Sequence, residues 1–205
     1  AACYMLQQGT PFVYQGQEIG MTNLRLPRLD MYVDVMLKNN CRIASKVLPQ
    51  SAVLKLAQRS CRDSARTPMQ WTGGPWAGFS ETRPWFYLNE NYRDVNVEVE
   101  ERDPDSLLNF YRELIAFRKA EPLVMEGEYK EHLRQSPNFY VYSREAGGRR
   151  LLVICSFADK DTYFTAPEGF DLMQGRLVLK NYEMNLVINN CFTARPYELR
   201  VYLFE

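Results

Sequence analysis

The run R-D-S-A-R-T-P-M-Q-W at residues 62–71 sets the interpretation of the whole chain. It places Arg62 and Arg66 four residues apart, with Asp63 between them, directly ahead of a Thr-Pro turn and Trp71. The arginines can be a plain i, i+4 pair on a solvated helical turn. A fixed turn holds long side chains in place, however, and a guanidinium then offers planar donors to a carboxylate or to vicinal hydroxyls. The run therefore predicts a binding site at Arg62 and Arg66.

An aromatic-rich loop follows this run, at residues 71–87. Its glycines and prolines exclude regular secondary structure, because they break both helical and strand patterns. Loops with many aromatic side chains and a few charges often line pockets, but the same rings can form a small core beneath a long loop. Both interpretations are open for the aromatic residues of the loop, which are Trp71, Trp76, Phe79, Trp85, Phe86 and Tyr87.

The bulk composition indicates a globular protein without a polyanionic partner. At 205 residues with 46% apolar side chains, the chain can bury one large core or two small ones. Its 25 basic residues balance 25 acidic ones, which disfavours nucleic acid and anionic lipid as partners. The longest apolar runs are far below the roughly 20 residues that a membrane-spanning helix needs. No membrane association is therefore expected.

The reactive side chains argue against metal, nucleotide and histidine-dependent chemistry. Five scattered cysteines form no C-x-x-C pair, which predicts reduced thiols in a cytoplasmic protein rather than a disulfide framework. His132 is the sole histidine and stands in a strand-like run, so a surface or interface role is favoured over catalysis. No glycine-rich phosphate loop precedes a helix. No metal site and no cofactor are therefore predicted.

Before the run at residues 62–71, helical and strand-like signals alternate. Residues 1–9 have the pattern of the last turns of a helix stopped by Gly9, which predicts a truncated chain. Residues 10–14 are short, apolar and bounded by Gly and Pro. They predict a buried parallel strand, with the polar residues 15–18 at its C-terminal end. A weaker helical pattern at residues 29–58 predicts two short helices joined by a turn.

After the aromatic-rich loop, one helix is followed by a change of period. Asp103 is the candidate N-cap, Pro104 suits the first helical position, and the apolar pattern of residues 107–118 ends at residues 121–122. Beyond that point the period is two, which is typical of short antiparallel strands packed as a sandwich. The predicted strands are residues 129–133, 139–145, 150–157, 162–165, 176–179, 186–189 and 198–204.

Three carboxylates near the run have a structural and a chemical interpretation. Asp63 is assigned a structural role, either capping a turn or pairing with an arginine. Glu18 and Asp34 can act as general acid or base, but carboxylates without a visible partner arrangement are usually hydrogen-bonded parts of the scaffold. The pattern alone therefore assigns no catalytic residue.

Two long stretches carry a family resemblance. They are G-T-P-F-V-Y-Q-G-Q-E-I-G-M-T-N at residues 9–23 and C-R-D-S-A-R-T-P-M-Q-W at residues 61–71. The likeness continues through A-G-F, R-P-W, N-x-N-Y and L-I-A-F-R-K, at residues 77–79, 83–85, 89–92 and 114–119. Together these motifs resemble the α-glucosidase branch of the α-amylase superfamily, which includes oligo-1,6-glucosidases, glucan 1,6-glucosidases, trehalose-6-phosphate hydrolases and sucrose isomerases.

The resemblance implies an α+β fragment. Residues 1–122 would be the last strand and helices of a (β/α)8 catalytic barrel, followed by an antiparallel β-sandwich domain at residues 123–205. The family's nucleophilic Asp, acid/base Glu and stabilising Asp lie on earlier barrel strands, so no residue of this chain is implied to be catalytic. Arg62 matches an arginine that pairs with an upstream aspartate and holds the non-reducing terminal glucose. Arg66 matches an arginine near the leaving group, so both are implied to bind substrate.

One position departs from the family pattern and leaves the linkage preference open. Many relatives carry D-x-E where this chain has Asp34, Val35 and Met36, and that glutamate would line the leaving-group subsite. A thioether cannot accept a hydrogen bond from a sugar hydroxyl as a carboxylate can. Met36 therefore provides no basis for an α-1,6 preference.

Taken together, the resemblance implies the C-terminal segment of a cytoplasmic, retaining α-glucosidase that hydrolyses short α-glucosides from the non-reducing end. The implied partners are a small α-linked oligosaccharide or disaccharide and the upstream barrel portion of the same enzyme. The segment alone is expected to be inactive. The alternatives are a stand-alone carbohydrate-binding or structural module, with Trp71, Trp76 and Trp85 as a platform, and a degenerate remnant.

Overall fold

A computed structural model describes the chain throughout, from residue 1 to residue 205. Its internal packing divides it into two compact units. The first unit combines Ala1–Phe12 with Phe110–Glu205, and the second is Val13–Asn109. The division into residues 1–122 and 123–205 was predicted from the change of sequence period after residues 121–122 and from the family resemblance, and it stays a prediction.

The first unit is built on a five-stranded antiparallel sheet. In spatial order its strands are β1 (Glu128–His132), β2 (Phe139–Ala146), β3 (Arg149–Ser156), β7 (Leu199–Phe204) and β5 (Arg176–Lys180). β2 and β3 form a hairpin whose two turn residues, Gly147 and Gly148, both have positive φ, as such tight turns require. A second, two-stranded sheet pairs β4 (Thr162–Thr165) with β6 (Cys191–Ala194).

Both faces of the main sheet are covered, because alternate residues of its central strands point to opposite sides. Leu151 and Val153 face a cluster that includes residues of α1 (Ala2–Met5) and α6 (Leu123–Glu126). Leu152 and Ile154 face a second cluster that includes Phe164 of β4 and residues of β6. The predicted antiparallel pairing of the strands is thus observed. The second sheet has only two short strands, so the predicted sandwich domain stays a prediction.

Six of the seven predicted strands are observed within about two residues of their predicted bounds. The prediction of a strand at residues 186–189 is wrong. There Leu186 and Ile188 are exposed, and Ile188 makes only an isolated bridge to Cys191. Asn189 and Asn190 have positive φ and turn the chain, as asparagine tolerates. Because the chain turns here, the strand begins only after the turn. It is β6, which starts at Cys191 and pairs with β4.

The second unit contains the two short helices predicted for residues 29–58. They are α2 (Val35–Ala44) and α3 (Gln50–Ser60), and a third helix, α4 (Val97–Arg102), follows later. The side chain of Asn96 caps α4 by accepting the N–H of Val99 over 3.0 Å. The core of this unit consists of Leu24, Leu26, Tyr32, Leu37, Cys41, Val53, Ala57, Cys61 and Phe86.

The helix predicted after the aromatic-rich loop is α5 (Leu107–Ala120), but its predicted cap is wrong. The hydroxyl of Ser106 accepts the N–H of Asn109 over 3.2 Å, which is the N-cap geometry. The carboxylate of Asp103 instead accepts the N–H of Asp105 over 2.9 Å and closes a turn before the helix. α5 is the longest helix at 14 residues. No helix has the length and apolar content that crossing a membrane requires.

The buried strand predicted at residues 10–14 is also wrong. These residues form no strand, and the side chains of Phe12 and Tyr14 are 84% and 57% exposed. A parallel strand exists only through backbone hydrogen bonds to neighbouring strands, and none of the described strands pairs with this segment. Apolar composition alone therefore does not make the segment a strand.

Candidate functional site

The predicted binding run folds into a short 3₁₀ helix at Arg62–Arg66, in the second unit. The thiol of Cys61 caps this helix by accepting the backbone N–H of Asp63 over 3.3 Å. Thr67 ends it in an extended conformation, as expected for a residue that precedes proline. Arg62 and Arg66 are thus not a pair on a regular α-helix, and each of them meets a different carboxylate.

Arg62 forms a two-pronged ion pair with Asp34. Its Nε donates to Oδ2 over 2.9 Å, and its Nη2 donates to Oδ1 over 3.1 Å. The carboxylate is buried, whereas the arginine side chain is 62% exposed. This parallel geometry fixes the plane of the guanidinium. Nη1 makes no hydrogen bond, and most of the side chain remains exposed to solvent.

Asp34 also caps helix α2. Its Oδ1 accepts the N–H of Met36 over 2.9 Å and that of Leu37 over 3.4 Å. The hydrogen bond from Arg62 is the main reason why the pKa of Asp34 lies well below its usual value, and the capping N–H groups lower this pKa further. A carboxylate held ionised by so many donors serves as an anchor and is poorly suited to act as a general acid.

Asp63 is completely buried and organises the backbone on both sides of this pair. Its Oδ2 accepts the N–H of Val33 over 2.7 Å and that of Asp34 over 3.1 Å. Its Oδ1 makes no hydrogen bond and lies 3.6 Å from Nη1 of Arg66. Asp63 therefore has the structural role that the sequence predicted, and it holds Asp34 where Arg62 can reach it.

Arg66 lines a groove of about 340 Å³ together with part of the aromatic-rich loop. The side chain of Arg66 is 48% exposed. Other lining residues are Phe79, Arg83 and Trp85, so the groove offers two guanidiniums and aromatic surface. Arg62 is absent from its lining. The predicted site residues therefore share one 3₁₀ helix but face different surroundings.

The aromatic-rich loop combines both interpretations offered for it. Phe86 is buried and belongs to the core of the second unit. Trp85, Phe79 and Trp71 remain 82%, 51% and 48% exposed. Phe86 is thus part of the core, while the exposed rings of the loop are available to a ligand.

Hydrogen bonds hold the loop at both ends. On one side, the N–H groups of Val97 and Glu98 donate to the carbonyls of Gln70 and Trp71, each over 3.0 Å. On the other side, the amides of Asn89 and Asn91 both donate to the Thr22 hydroxyl, over 3.1 and 3.2 Å. Gln70 also donates its side-chain amide to Asn91 over 3.5 Å, so hydrogen bonds connect the motifs at residues 9–23, 61–71 and 89–92.

Met36 lies in the first turn of α2, next to the Arg62–Asp34 pair. Its backbone is held by the Asp34 cap, and its side chain is 62% exposed. The position at which the family resemblance implies a glutamate therefore presents a largely exposed thioether here, beside an ion pair.

The resemblance implied that Arg62 pairs with an upstream aspartate, but sequence reasoning did not identify Asp34 as that partner. The available signal was the position of Asp34 directly ahead of a helical pattern, where aspartate commonly caps. Glu18 was the other carboxylate considered, and it is half-buried, with Oε2 shielded from solvent and without a hydrogen bond.

His132 lies apart from these residues, on β1 of the first unit. Its Nε2 is 2.9 Å from the hydroxyl of Ser143, which in turn donates to Glu145 over 2.7 Å. Burial lowers the pKa of His132. The ring also packs edge-on against Phe170, which makes it part of the fold. No group of three or more His, Cys, Asp or Glu side chains is placed to hold a metal ion.

Comparison with curated proteins identifies α-glucoside hydrolases as relatives. The probable oligo-1,6-glucosidase 2 of Bacillus subtilis (strain 168) is 38% identical over 207 residues, covering 100% of this chain and 37% of the relative. The trehalose-6-phosphate hydrolase of the same organism is 35% identical over 205 residues, covering 98% of this chain and 36% of the relative. The chain thus spans little more than a third of the length of these relatives.

Solved structures of similar proteins share this fold. Trehalose-6-phosphate hydrolase from Bacillus licheniformis has a TM-score of 0.92 and 33% identity, covering 98% of this chain and 37% of that chain. Isomaltulose synthase from Klebsiella sp. LX3 has a TM-score of 0.87 and 31% identity, with the same coverage. The family model for the alpha-amylase catalytic domain matches residues 1–127. The resemblance predicted from residues 9–23 and 61–71 is thereby confirmed, and the chain belongs to the alpha-amylase family.

Proposed function

We propose that this chain is the substrate-binding segment of a retaining α-glucosidase that hydrolyses short α-glucosides from the non-reducing end. In this proposal Arg62 and Arg66 bind sugar, and the catalytic carboxylates come from the upstream barrel portion. The substrate is a small α-linked oligosaccharide or disaccharide, and the enzyme is cytoplasmic. The segment alone is inactive.

The observation that carries this proposal is the geometry of Arg62. An arginine that is clamped by a buried carboxylate and still 62% exposed is a rigid donor, because its plane cannot rotate freely. A fixed guanidinium suits neighbouring hydroxyls of a sugar, which need two donors or acceptors at a set spacing. Little side-chain entropy is lost when such a group binds a ligand.

Arg66 and its groove support a second contact zone. Nη1 of Arg66 lies 3.6 Å from the buried Asp63, and Arg66 lines the same groove as the exposed rings of Phe79 and Trp85. Aromatic faces pack against the apolar faces of sugar rings, while the guanidiniums reach their hydroxyls. We assign this groove to the leaving-group side of the substrate.

The similarity to oligo-1,6-glucosidases and trehalose-6-phosphate hydrolases supports this reaction class. In a retaining glycosidase one carboxylate attacks the anomeric carbon while a second protonates the leaving oxygen, and water then releases the sugar. The residues of this chain would hold the terminal glucose still during both steps. Contacts that strengthen as the ring flattens would lower the barrier as well as the dissociation constant.

A chimera tests this role directly. In it, the matching C-terminal third of the Bacillus subtilis probable oligo-1,6-glucosidase 2 is replaced by this chain. We expect the chimera to hydrolyse isomaltose or p-nitrophenyl α-glucoside, and Arg62→Ala to lower kcat/KM by roughly tenfold to a hundredfold. The isolated chain should show no turnover.

The matched control is Arg28→Ala. Arg28 also pairs with an aspartate, Asp30, but this pair is exposed on both sides and distant in sequence from the run. Its loss should leave kcat/KM unchanged. Equal effects of Arg62→Ala and Arg28→Ala would refute the binding role, and robust hydrolysis by the isolated chain would refute the external origin of its catalytic groups.

A stand-alone carbohydrate-binding module is the second candidate, and the 82% exposure of Trp85 favours it. Such a module should bind maltose or isomaltose unaided, whereas half of an enzyme pocket should not. Titration calorimetry of the isolated chain, with Trp85→Ala as the comparison, separates the two functions. Saturable binding that disappears with Trp85→Ala would support the module.

A further inference from the structure

Two of the five cysteines lie against each other in the first unit. Cys155, on β3, lies in a buried cluster against which Cys3, on α1, packs, and the two thiols are close enough to shift each other's pKa. Both thiols are free. Cys155 is 7% exposed and belongs to the core cluster on this face of the main sheet, and the half-buried Cys3 packs against the same cluster. The sequence separates these residues widely, and only the fold brings them together.

The backbone around Cys3 is fixed on the sheet. Its carbonyl accepts the Tyr142 hydroxyl over 3.2 Å and the side-chain amide of Gln7 over 3.1 Å. The same amide donates to the Tyr140 hydroxyl over 2.8 Å, and Tyr140 lies directly opposite Cys155 in the β2–β3 register. These hydrogen bonds therefore hold helix α1 against the sheet beside Cys155.

We propose that Cys3 and Cys155 form a peroxide-sensitive dithiol site, which closes a disulfide between α1 and β3. The ligand class is a small hydroperoxide that can reach the half-buried sulfur of Cys3. This site is independent of Arg62, Arg66 and the sugar-binding proposal, because every residue that builds it belongs to the first unit.

The chemistry has two balanced steps. The Cys3 thiolate attacks one peroxide oxygen, the O–O bond breaks, and the products are a sulfenic acid on Cys3 and hydroxide, which takes a proton to become water. The sulfur of Cys155 then attacks the Cys3 sulfur. The S–OH bond breaks, and hydroxide leaves with the Cys155 proton as a second water. Two thiols are oxidised by two electrons in total, and one peroxide is reduced to two waters.

Protonation favours Cys3 as the attacking residue. The hydrogen bond from Cys155 is the main reason why the pKa of Cys3 falls to about 6; burial opposes this effect, and the N-terminal ammonium and nearby backbone N–H groups lower the pKa further. The same contact raises the pKa of Cys155. The thiolate is the reactive form of cysteine, so Cys3 is nucleophilic at neutral pH and Cys155 is the resolving partner.

The other three cysteines provide internal comparisons. Cys41 and Cys61 are buried in the core of the second unit, and burial raises the pKa of both, to about 11 for Cys61. Hydrogen bonding with Thr165 and with Tyr163 lowers the pKa of Cys191. Cys191 has no contacting cysteine among its described partners. It can therefore be oxidised but has no second thiol with which to resolve.

The test uses the full 205-residue chain. It is treated with hydrogen peroxide at pH 7, its remaining thiols are alkylated, and it is digested without reductant for mass spectrometry. We expect one cross-linked peptide pair joining Cys3 to Cys155, which disappears after reduction with dithiothreitol. Formation should be at least about tenfold faster in the folded chain than in urea, because folding holds the sulfurs together. Its rate should fall about tenfold for each pH unit below the pKa of Cys3.

Variants separate this pair from general oxidation. Cys155→Ala should abolish the cross-link and drive Cys3 to sulfinic acid, whereas Cys41→Ser should leave cross-linking unchanged. The proposal is overturned if Cys3 reaches sulfinic acid in the folded wild-type chain without a Cys155 cross-link. An equal cross-linking rate in urea would overturn it too. Neither result depends on whether a variant folds, since both are measured on the wild-type chain.

Discussion

Arg62 holds Asp34 through two parallel hydrogen bonds, of 2.9 Å from Nε and 3.1 Å from Nη2, although 28 positions separate the two residues in sequence. The pair links the 3₁₀ helix of the R-D-S-A-R run to the start of helix α2. It makes a mobile, charged side chain into a fixed element of the surface. Several consequences can be measured.

Replacing Arg62 by lysine should separate charge from geometry. An ammonium keeps the positive charge but cannot form two coplanar bonds to one carboxylate. In the chimera we expect Arg62→Lys to lower kcat/KM on isomaltose by roughly tenfold, between the wild type and Arg62→Ala. If Arg62→Lys retains the wild-type value, charge alone is sufficient and the planar geometry is not needed.

The stability of the second unit should depend on pH through Asp34. The bond from Arg62 places the pKa of this carboxyl below its unfolded value, which is about 3.9. Because the folded pKa is the lower one, the stabilisation is present above about pH 4 and is lost as the pH falls further. Melting temperatures of the wild type and Asp34→Asn should therefore differ at pH 7, and the difference should start to narrow below about pH 4, closing only as the pH approaches the lower pKa of the folded state. A gap that stays constant below about pH 4 would contradict the assignment.

Removal of the Asp63 carboxylate should unfold the site locally. Asp63→Ala leaves the N–H groups of Val33 and Asp34 without their acceptor, which we expect to cost roughly 2 to 3 kcal/mol. Denaturant titration of the isolated chain measures this loss. Asp30→Ala is the control, since its carboxylate is exposed and pairs only with the exposed Arg28. Similar losses for both variants would show that Asp63 is not the organiser of the site.

The first unit contains a buried ion pair that can be tested as a double-mutant cycle. Arg200 and Glu198 are 1% and 3% exposed and 2.7 Å apart, and the guanidinium also lies over the ring of Phe192 at 3.6 Å. Glu198→Leu or Arg200→Met alone removes one charge and leaves the other buried, and each should cost roughly 3 to 5 kcal/mol. The double variant Glu198→Leu, Arg200→Met should lose clearly less. Additive losses would mean that the two charges do not compensate each other.

The β strands of the first unit could be predicted because their residues obey a local rule. In β2 and β3 alternate residues enter two different cores, and turn residues mark the ends of both strands. The segment at residues 186–189 shows where this rule stops. Its composition suits a strand, but Asn189 and Asn190 have left-handed backbone conformations, and strand pairing begins only at β6. Whether a segment of suitable composition forms a strand therefore depends on where its partner strand lies.

The candidate site was only half predictable for a related reason. The R-D-S-A-R run indicated which guanidiniums matter, because its neighbours along the chain fix a turn. The acceptor of Arg62 and the two N–H groups held by Asp63 lie about 30 positions upstream. Contacts over that separation follow from the packing of α2 and α3, which no local pattern encodes.

The hydroxyl of Thr22 receives both Asn89 and Asn91, and this convergence has a thermodynamic consequence for the aromatic-rich loop. A loop already ordered by its anchors loses little freedom when a guest settles on Trp85 or Phe79. Exchange of that hydroxyl for a methyl group, as in Thr22→Val, should weaken a guest's affinity mainly through a less favourable binding entropy. Thr22 would thus affect ligand binding without touching the ligand, because it determines how rigid the aromatic-rich loop is.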